Sequence, residues 1–173
     1  SLFNGFIPIV AIQVSAIQVA EGEVTLVFTT VLDRATLGTE DEDDGPSSDR
    51  AYWESKTSPD SMKFLDEVEA LVQQIDPNVN LNYKKGYVGL ATNGVSTNYL
   101  AFKPKKQQIN VHVKIPRNPS TEVEIEDAGL VSFPYQTRWN QYRPVFPLDS
   151  FETHKELLEK WALEAHANYF GSN

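Results

Sequence analysis

Apolar and polar residues alternate through the middle of the chain, as they do in strands that bury one face. The clearest case is QQINVHVKI over 107–115, in which Ile109, Val111 and Val113 fall on one side. The other side, which we expect to be exposed, carries Asn110, His112 and Lys114. Further strands are predicted over 80–84, 87–91, 95–102 and 143–148, with an extended piece beginning at 128–130. Together these runs predict a curved, mainly antiparallel sheet.

A helical period replaces the alternation in two places. Between 59 and 75 apolar residues recur every three or four positions, after a Ser58-Pro59 pair that is typical of a helix start. The same spacing predicts a second helix over 150–169, and DRAYWE over 49–54 predicts a helical turn. We expect the core to join helices and sheet through Leu65, Val68, Val72, Val111, Val113, Leu158, Trp161 and Ala165.

The first sixty residues have a different pattern. Two β-rich runs, 7–20 and 24–32, flank a Glu-Gly pair and predict a β-hairpin within 1–38. The linker 39–60 begins with TEDEDDGPSSD, whose six carboxylates predict an exposed acidic loop. The loop lacks the residue spacing of a calcium-binding EF-hand, and it serves either as a solvated connector or as a shield for cationic surface.

These elements predict an α+β fold: a mainly antiparallel sheet packed by the 59–75 and 150–169 helices, with an N-terminal hairpin. We expect a single domain over 1–173, with its core in 61–173. The chain contains no Cys, which excludes disulfides and thiol nucleophiles. It also contains no apolar run of the roughly 18 residues typical of a membrane span, and a cytoplasmic location without membrane contact is expected.

Charge changes this picture, because its distribution is uneven. The formal net charge is −9, yet 77–121 contains seven Lys or Arg and no Asp or Glu. Tyrosines and a tryptophan are interleaved with the cations, and such surfaces neutralise phosphates and stack on unpaired bases. The predicted ligand-binding residues are Lys84, Lys85, Tyr87, Tyr99, Lys103, Lys105, Lys106, His112, Lys114, Arg138, Trp139 and Arg143.

The chemistry of catalysis is harder to find. His112, His154 and His166 lack the spacing of a zinc site, and the glycines form no phosphate loop. The acid-free strands also lack the Asp and acid-x-Lys pattern of a restriction-type nuclease core. We therefore expect no catalytic residues, no metal and no cofactor, and the sequence leans away from an enzyme.

Two functions remain open. One is a non-catalytic module that binds DNA, RNA or another phosphate-bearing ligand through the cationic sheet. The other is a protein-interaction or oligomerisation domain, since lysines in turns and edge strands also serve solubility. A homodimer is compatible with either function. The chain begins at Ser1 rather than Met, as excised segments do, so other domains of a larger parent are further candidate partners.

Four segments carry a resemblance to a known family. They are LNYKKGYVGLAT, NYLAFKPKKQQINVHVKIP, YQTRWNQYR and ELLEKWALEAHANYF, within about 61–171. This part of the chain resembles a small uncharacterised prokaryotic domain found at the C-termini of predicted transport proteins and restriction-associated proteins. The resemblance implies a helix, a strand meander and a second helix, and a place in prokaryotic DNA restriction or defence. It implies no particular chemistry.

Overall fold

The computed structural model describes residues 10–20, 23–33 and 47–171. The chain divides into two compact units, Ser1–Asp43 and Asp44–Asn173, and each is described by itself. The prediction of one domain over 1–173 stays a prediction. In the first unit, strands β1 (Val10–Ala20) and β2 (Glu23–Asp33) pair antiparallel, which confirms the hairpin. The acidic loop lies outside the described residues, apart from 47–49.

The second unit contains four helices and a seven-stranded sheet. The helices are α1 (Arg50–Lys56), α2 (Pro59–Ile75), α3 (Pro119–Asp127) and α4 (Phe151–Gly171). The strands are β3 (Val79–Tyr83), β4 (Val88–Thr92), β5 (Val95–Ser96), β6 (Leu100–Pro104), β7 (Gln108–Lys114), β8 (Val131–Gln136) and β9 (Gln141–Pro147). Their order is β3-β4-β6-β7-β9-β8, with β5 paired to β4, and every pairing is antiparallel. The α+β prediction is confirmed.

The sequence signals for α2 act as expected. The Ser58 hydroxyl accepts a hydrogen bond from the Ser61 backbone N–H, and Pro59 occupies the first turn. The helix ends at Ile75, because Asp76 precedes Pro77 and takes an extended conformation. The predicted bounds of 59–75 are therefore confirmed.

One hydrophobic core lies between the helices and one face of the sheet. All four helices contribute to it, α1 through Trp53 and α3 through Ile125. Trp161, Phe64 and Phe146 are among its largest fully buried side chains. The eight apolar residues expected to be buried together all belong to it, which confirms the helix-on-sheet arrangement. None of the described helices combines the length and apolar content needed to cross a bilayer.

One helix was not predicted, and one strand prediction is wrong. The acidic segment 122–127, which we did not assign to a helix, lies in α3, where Asn118 caps the first turn and Pro119 follows it. The single strand predicted over 95–102 is interrupted between β5 and β6. The break follows the tight Asn93-Gly94 turn, whose two residues have φ of 52° and 78°. The short β5 then leaves the sheet before β6 begins.

Candidate binding face of the sheet

Charge is segregated between the two layers of the second unit. Within 47–171, every Asp and Glu lies in a helix, at a helix cap or in the turn before α4. The segments 77–121 and 128–148 carry strands β3–β9 and contain nine Lys or Arg, seven in the first and two in the second, with no Asp or Glu. The helix layer, α1–α4, is therefore acidic and the sheet cationic, which the net charge of −9 conceals.

The side chains that alternate with the core-facing ones form a second face of the sheet, which we call the polar face. Cross-strand partners in an antiparallel sheet project to the same side, so the register identifies its members. One row runs across four strands, from Lys103 through Asn110 and Val145 to Val131. The remaining members are Asn80, Asn82, Gly89, Ala91, Ala101, His112, Lys114, Gln141, Arg143 and Phe133. Cations, amides and apolar side chains thus share one surface.

Two lysine-bearing turns lie at one end of this face, which we call the lysine end. Strands β3 and β6 both run antiparallel to β4, so the turns that follow them, 84–87 and 105–107, emerge at the same end of the sheet. These turns and the adjacent strand ends carry five of the six predicted binding lysines: Lys84, Lys85, Lys103, Lys105 and Lys106. The cluster could not be read from sequence spacing, because it depends on the direction of β3 and β6.

The helix layer fixes the backbone of both turns. The Trp53 indole Nε1 donates a hydrogen bond of 2.9 Å to the carbonyl oxygen of Lys84. The Ser61 hydroxyl, on α2, donates to the carbonyl oxygen of Lys105. Because their backbones are held before any ligand arrives, the turns lose less conformational entropy on binding.

His112 lies at the centre of the polar face but is not exposed. Only 4% of the residue is accessible, so the prediction of an exposed side chain is wrong. Strand β7 is flanked on both sides by β6 and β9, and the fully buried Gln141 places its Nε2 3.4 Å from His112 Nδ1. The same Nε2 donates to Gln136 Oε1 at 2.6 Å. Alternation identifies the face of His112, but the neighbouring strands determine its exposure.

Two predicted aromatic contacts are also corrected. Tyr99 is fully buried and lies on the helix side, with its ring centre 5.3 Å from that of His166 on α4. Tyr99 lies in the segment 97–99 between β5 and β6, outside both strands, so strand alternation does not determine the side of its ring. Tyr87 is on the polar face but only 7% exposed, since its ring lies over Gly89 and its hydroxyl accepts from Asn98. Neither ring is placed to stack on a ligand.

Aromatic rings with arginines over them are found instead around β8 and β9. The Arg143 guanidinium carbon lies 5.3 Å from the ring centre of Phe133, its cross-strand partner. Arg138 and Trp139 form a second pair at 4.9 Å, in the 3-10 turn Thr137–Trp139 that joins the two strands. These distances fall within the range of favourable cation–π contacts. The YQTRWNQYR segment, 135–143, therefore supplies both arginines and the Trp139 ring, while Phe133 lies just before it.

The structure divides the predicted residues between the two ends of the face. Lys114 ends β7 at the opposite end from the lysine turns, and β9 begins beside it, so Arg138 and Trp139 belong to that end too. Arg143 lies two residues further along β9 than Gln141, the partner of Lys114, and pairs with Phe133 of β8. The register therefore places Lys103, His112, Lys114 and Arg143 on the polar face, while Tyr99 lies on the helix side. The lysines of the two turns, and Arg138 with Trp139, lie in connections at the two ends of the sheet.

Sequence analysis missed Phe133 and Gln141. Phe133 is 40% exposed on an edge strand, and Gln141 Oε1 has no hydrogen-bond partner among the described residues. The alternation of Val131, Phe133 and Tyr135 was a usable signal for β8. The sequence analysis predicted only an extended piece that begins at 128–130, just before this strand. Nothing in the sequence marks Gln141 as buried.

The titratable groups around the sheet include the buried Tyr99. Burial raises the pKa of Tyr99 to about 12, which keeps its phenol neutral. Among the described residues there is no group of three or more His, Asp or Glu side chains that could hold a metal ion. What remains is a surface of cations, amides and aromatic rings.

Comparison with known proteins identifies no relative. No protein-family model matches the chain, and no curated protein or solved structure matches it significantly.

Proposed function

We propose that the polar face binds a nucleic acid, with the lysine end holding its phosphates. The observation that carries this proposal is the segregation of charge between the layers, with nine cations and no carboxylate in the strand-bearing segments. A DNA or RNA backbone is attracted to such a layer and repelled by the acidic helix layer, which orients the protein on its ligand. A cytoplasmic location and a role in prokaryotic DNA restriction or defence belong to the same proposal.

The physical scale of the effect is set by the release of counterions. Each phosphate neutralised on a single strand changes the slope of log K against log salt by about −0.7. Non-specific binding of this kind has dissociation constants of roughly 10⁻⁴ to 10⁻⁶ M at physiological salt. Trp53 and Ser61 hold the backbones of the lysine turns in place before binding. This favours tighter binding, with a dissociation constant towards the lower end of that range.

The test is a salt titration of oligonucleotide binding by fluorescence anisotropy. Lys103, Lys105 and Lys106 are changed together to Glu, and binding of single-stranded and duplex DNA and RNA is expected to be abolished. Milder replacement by Gln should reduce the salt slope by about two, since three phosphate contacts are lost.

The matched control makes the same charge change in the helix layer. Lys56, Lys63 and Lys155 are changed together to Glu, which alters the net charge equally while leaving the polar face intact. We expect this variant to bind nearly as well as the unmodified protein. If both variants lose oligonucleotide binding equally, binding depends on the net charge of the protein and not on the polar face. No binding of any oligonucleotide at low salt would overturn the proposal.

A second function, protein interaction, has its own observation. Val131 and Phe133 on the edge strand β8 are 75% and 40% exposed, which is unusual for large apolar side chains on one strand. The other edge, β3, is covered by α2, since Glu69 accepts from Leu81 N–H and Gln73 donates to the Val79 carbonyl. A protein partner or a second copy would therefore be expected at β8.

A further inference from the structure

We propose that an unpaired base inserts into a groove beside Phe133, and that the nucleic acid bound by the polar face is single-stranded. This inference rests on the proposed function and names the form of its ligand. The groove lies at the lysine end, because β8 begins where β7 begins, next to the 105–107 turn.

The groove has the composition of a base-binding site. Its volume is about 370 Å³. Val131, Phe133 and Val145 are apolar lining residues, and Gln107 and Gln108 also line the groove. The Gln108 Nε2 donates a 3.3 Å hydrogen bond to Asn110 Oδ1. An aromatic ring stacks on any base, and an amide can pair with the polar edge of a base, so these groups suit a nucleobase better than a purely apolar ligand.

Charge complements this composition. The Arg143 guanidinium carbon lies 5.3 Å from the Phe133 ring centre, so a cation already accompanies the stacking surface. Lys105 and Lys106 directly precede Gln107 in the same turn, and both are exposed. A base in the groove would leave its flanking phosphates close to this turn. The groove residues themselves include no carboxylate.

The distribution of charge also favours a single strand over a duplex. Proteins that read duplex DNA commonly insert a helix into the major groove. Each of the four described helices carries carboxylates, and they pack on the opposite side of the sheet. In a duplex, moreover, the faces of the bases are hidden by stacking, whereas a single strand can present one to Phe133.

Strand addition by a protein partner at β8 is less favoured by the same residues. Pro134 has no N–H to donate, and its carbonyl oxygen already accepts a 3.1 Å hydrogen bond from Arg143 Nη2. An added strand would therefore receive no hydrogen bond from the Pro134 nitrogen, and it would have to displace Arg143 from the Pro134 carbonyl. The exposed ring of Phe133 is therefore better explained by a flat ligand than by a paired strand.

The experiment compares three probes at one low salt concentration: an oligothymidylate, an abasic strand of the same length, and a duplex of the same length. The full chain should bind the oligothymidylate about tenfold more tightly than the abasic strand. Phe133→Ala should remove most of that difference without changing the salt slope, because no phosphate contact is lost. Phe133→Tyr, which keeps an aromatic ring, should retain the tighter binding of the oligothymidylate. Leu163→Ala, an equally exposed apolar change on α4, is the control.

The outcomes separate this inference from the proposed function. Equal binding of thymidylate and abasic strands by the full chain would overturn the base groove while leaving phosphate binding intact. Tighter binding of the duplex than of the single strand would overturn it as well. If β8 instead serves self-association, light scattering will show a dimer that Phe133→Ala dissociates, and the inference is wrong. Absence of binding to all three probes would overturn the proposed function itself.

Discussion

Trp161 is the residue on which the packing of the second unit depends most. Its side chain is 1% exposed, and its ring packs edge-on to Phe146 with ring centres 6.4 Å apart. Its indole Nε1 donates a 3.0 Å hydrogen bond to Glu124 Oε2. One side chain therefore joins α4 to both β9 and α3.

We expect Trp161→Ala to lower the free energy of unfolding by about 3–5 kcal/mol, because it leaves a cavity in a close-packed core. Urea unfolding followed by circular dichroism measures the change. Trp139→Ala is the control, since this half-exposed ring lies outside the core cluster and should cost about 1 kcal/mol or less. A neutral Trp161→Ala would contradict the helix-on-sheet packing.

Single residues also show which structural properties could not be predicted from the sequence. Alternation placed Val111 and Val113 in the core and His112 on the other face, as the structure has them. It could not reveal that His112 is buried, because exposure depends on the two neighbouring strands. Tyr99 was predicted to bind a ligand, but it lies between β5 and β6 and its ring is fully buried.

At the scale of elements, α3 is attached to α4 through Glu124. Its carboxylate accepts from Lys160 Nζ at 2.5 Å and from Trp161 Nε1 at 3.0 Å. Partial burial alone would raise the pKa of Glu124, but the hydrogen bonds from Lys160 and Trp161 outweigh it and hold the pKa below its ordinary value. The ionised form of Glu124 is therefore the one that stabilises the contact between α3 and α4.

This lowered pKa predicts a pH dependence with a definite sign. A carboxylate with a depressed folded-state pKa contributes stability above its ordinary value, and that contribution is lost as pH falls through the folded-state pKa. We expect Glu124→Gln to be less stable than the unmodified protein near neutral pH, with the difference shrinking below about pH 4.5. Urea unfolding across that range checks it. A difference that is constant with pH would contradict the role given to the charge.

The helices were predictable to different degrees for a physical reason. Helix α2 has a strong apolar stripe after Ser58-Pro59, and both signals agree on its bounds. Helix α3 has a similar start, Asn118-Pro119, but buries only Thr121 and Ile125 among its nine residues. A short helix with so narrow a buried face leaves almost no periodicity in the sequence, and its capping signal was the only one available.

At the scale of the whole molecule, the main feature is the division of charge between layers. The sequence reveals an acid-free stretch, but only the register shows that Lys103 and Lys114 from this stretch lie on the same side of the sheet as Arg143. Only the strand directions show that 84–87 and 105–107 share one end. A net charge of −9 argues against polyanion binding when taken alone, and the layered arrangement removes that objection.

The central claim is that the polar face, and not the helix layer, contacts the nucleic acid. The most direct measurement is a ¹H–¹⁵N NMR titration of the full chain with a single-stranded oligonucleotide at low salt. We predict that the largest chemical-shift changes will fall in 84–87, 103–108 and 131–145, while the amides of α2 and α4 stay nearly unchanged. Shifts concentrated in α2 or α4, or none at saturating oligonucleotide, would contradict the account.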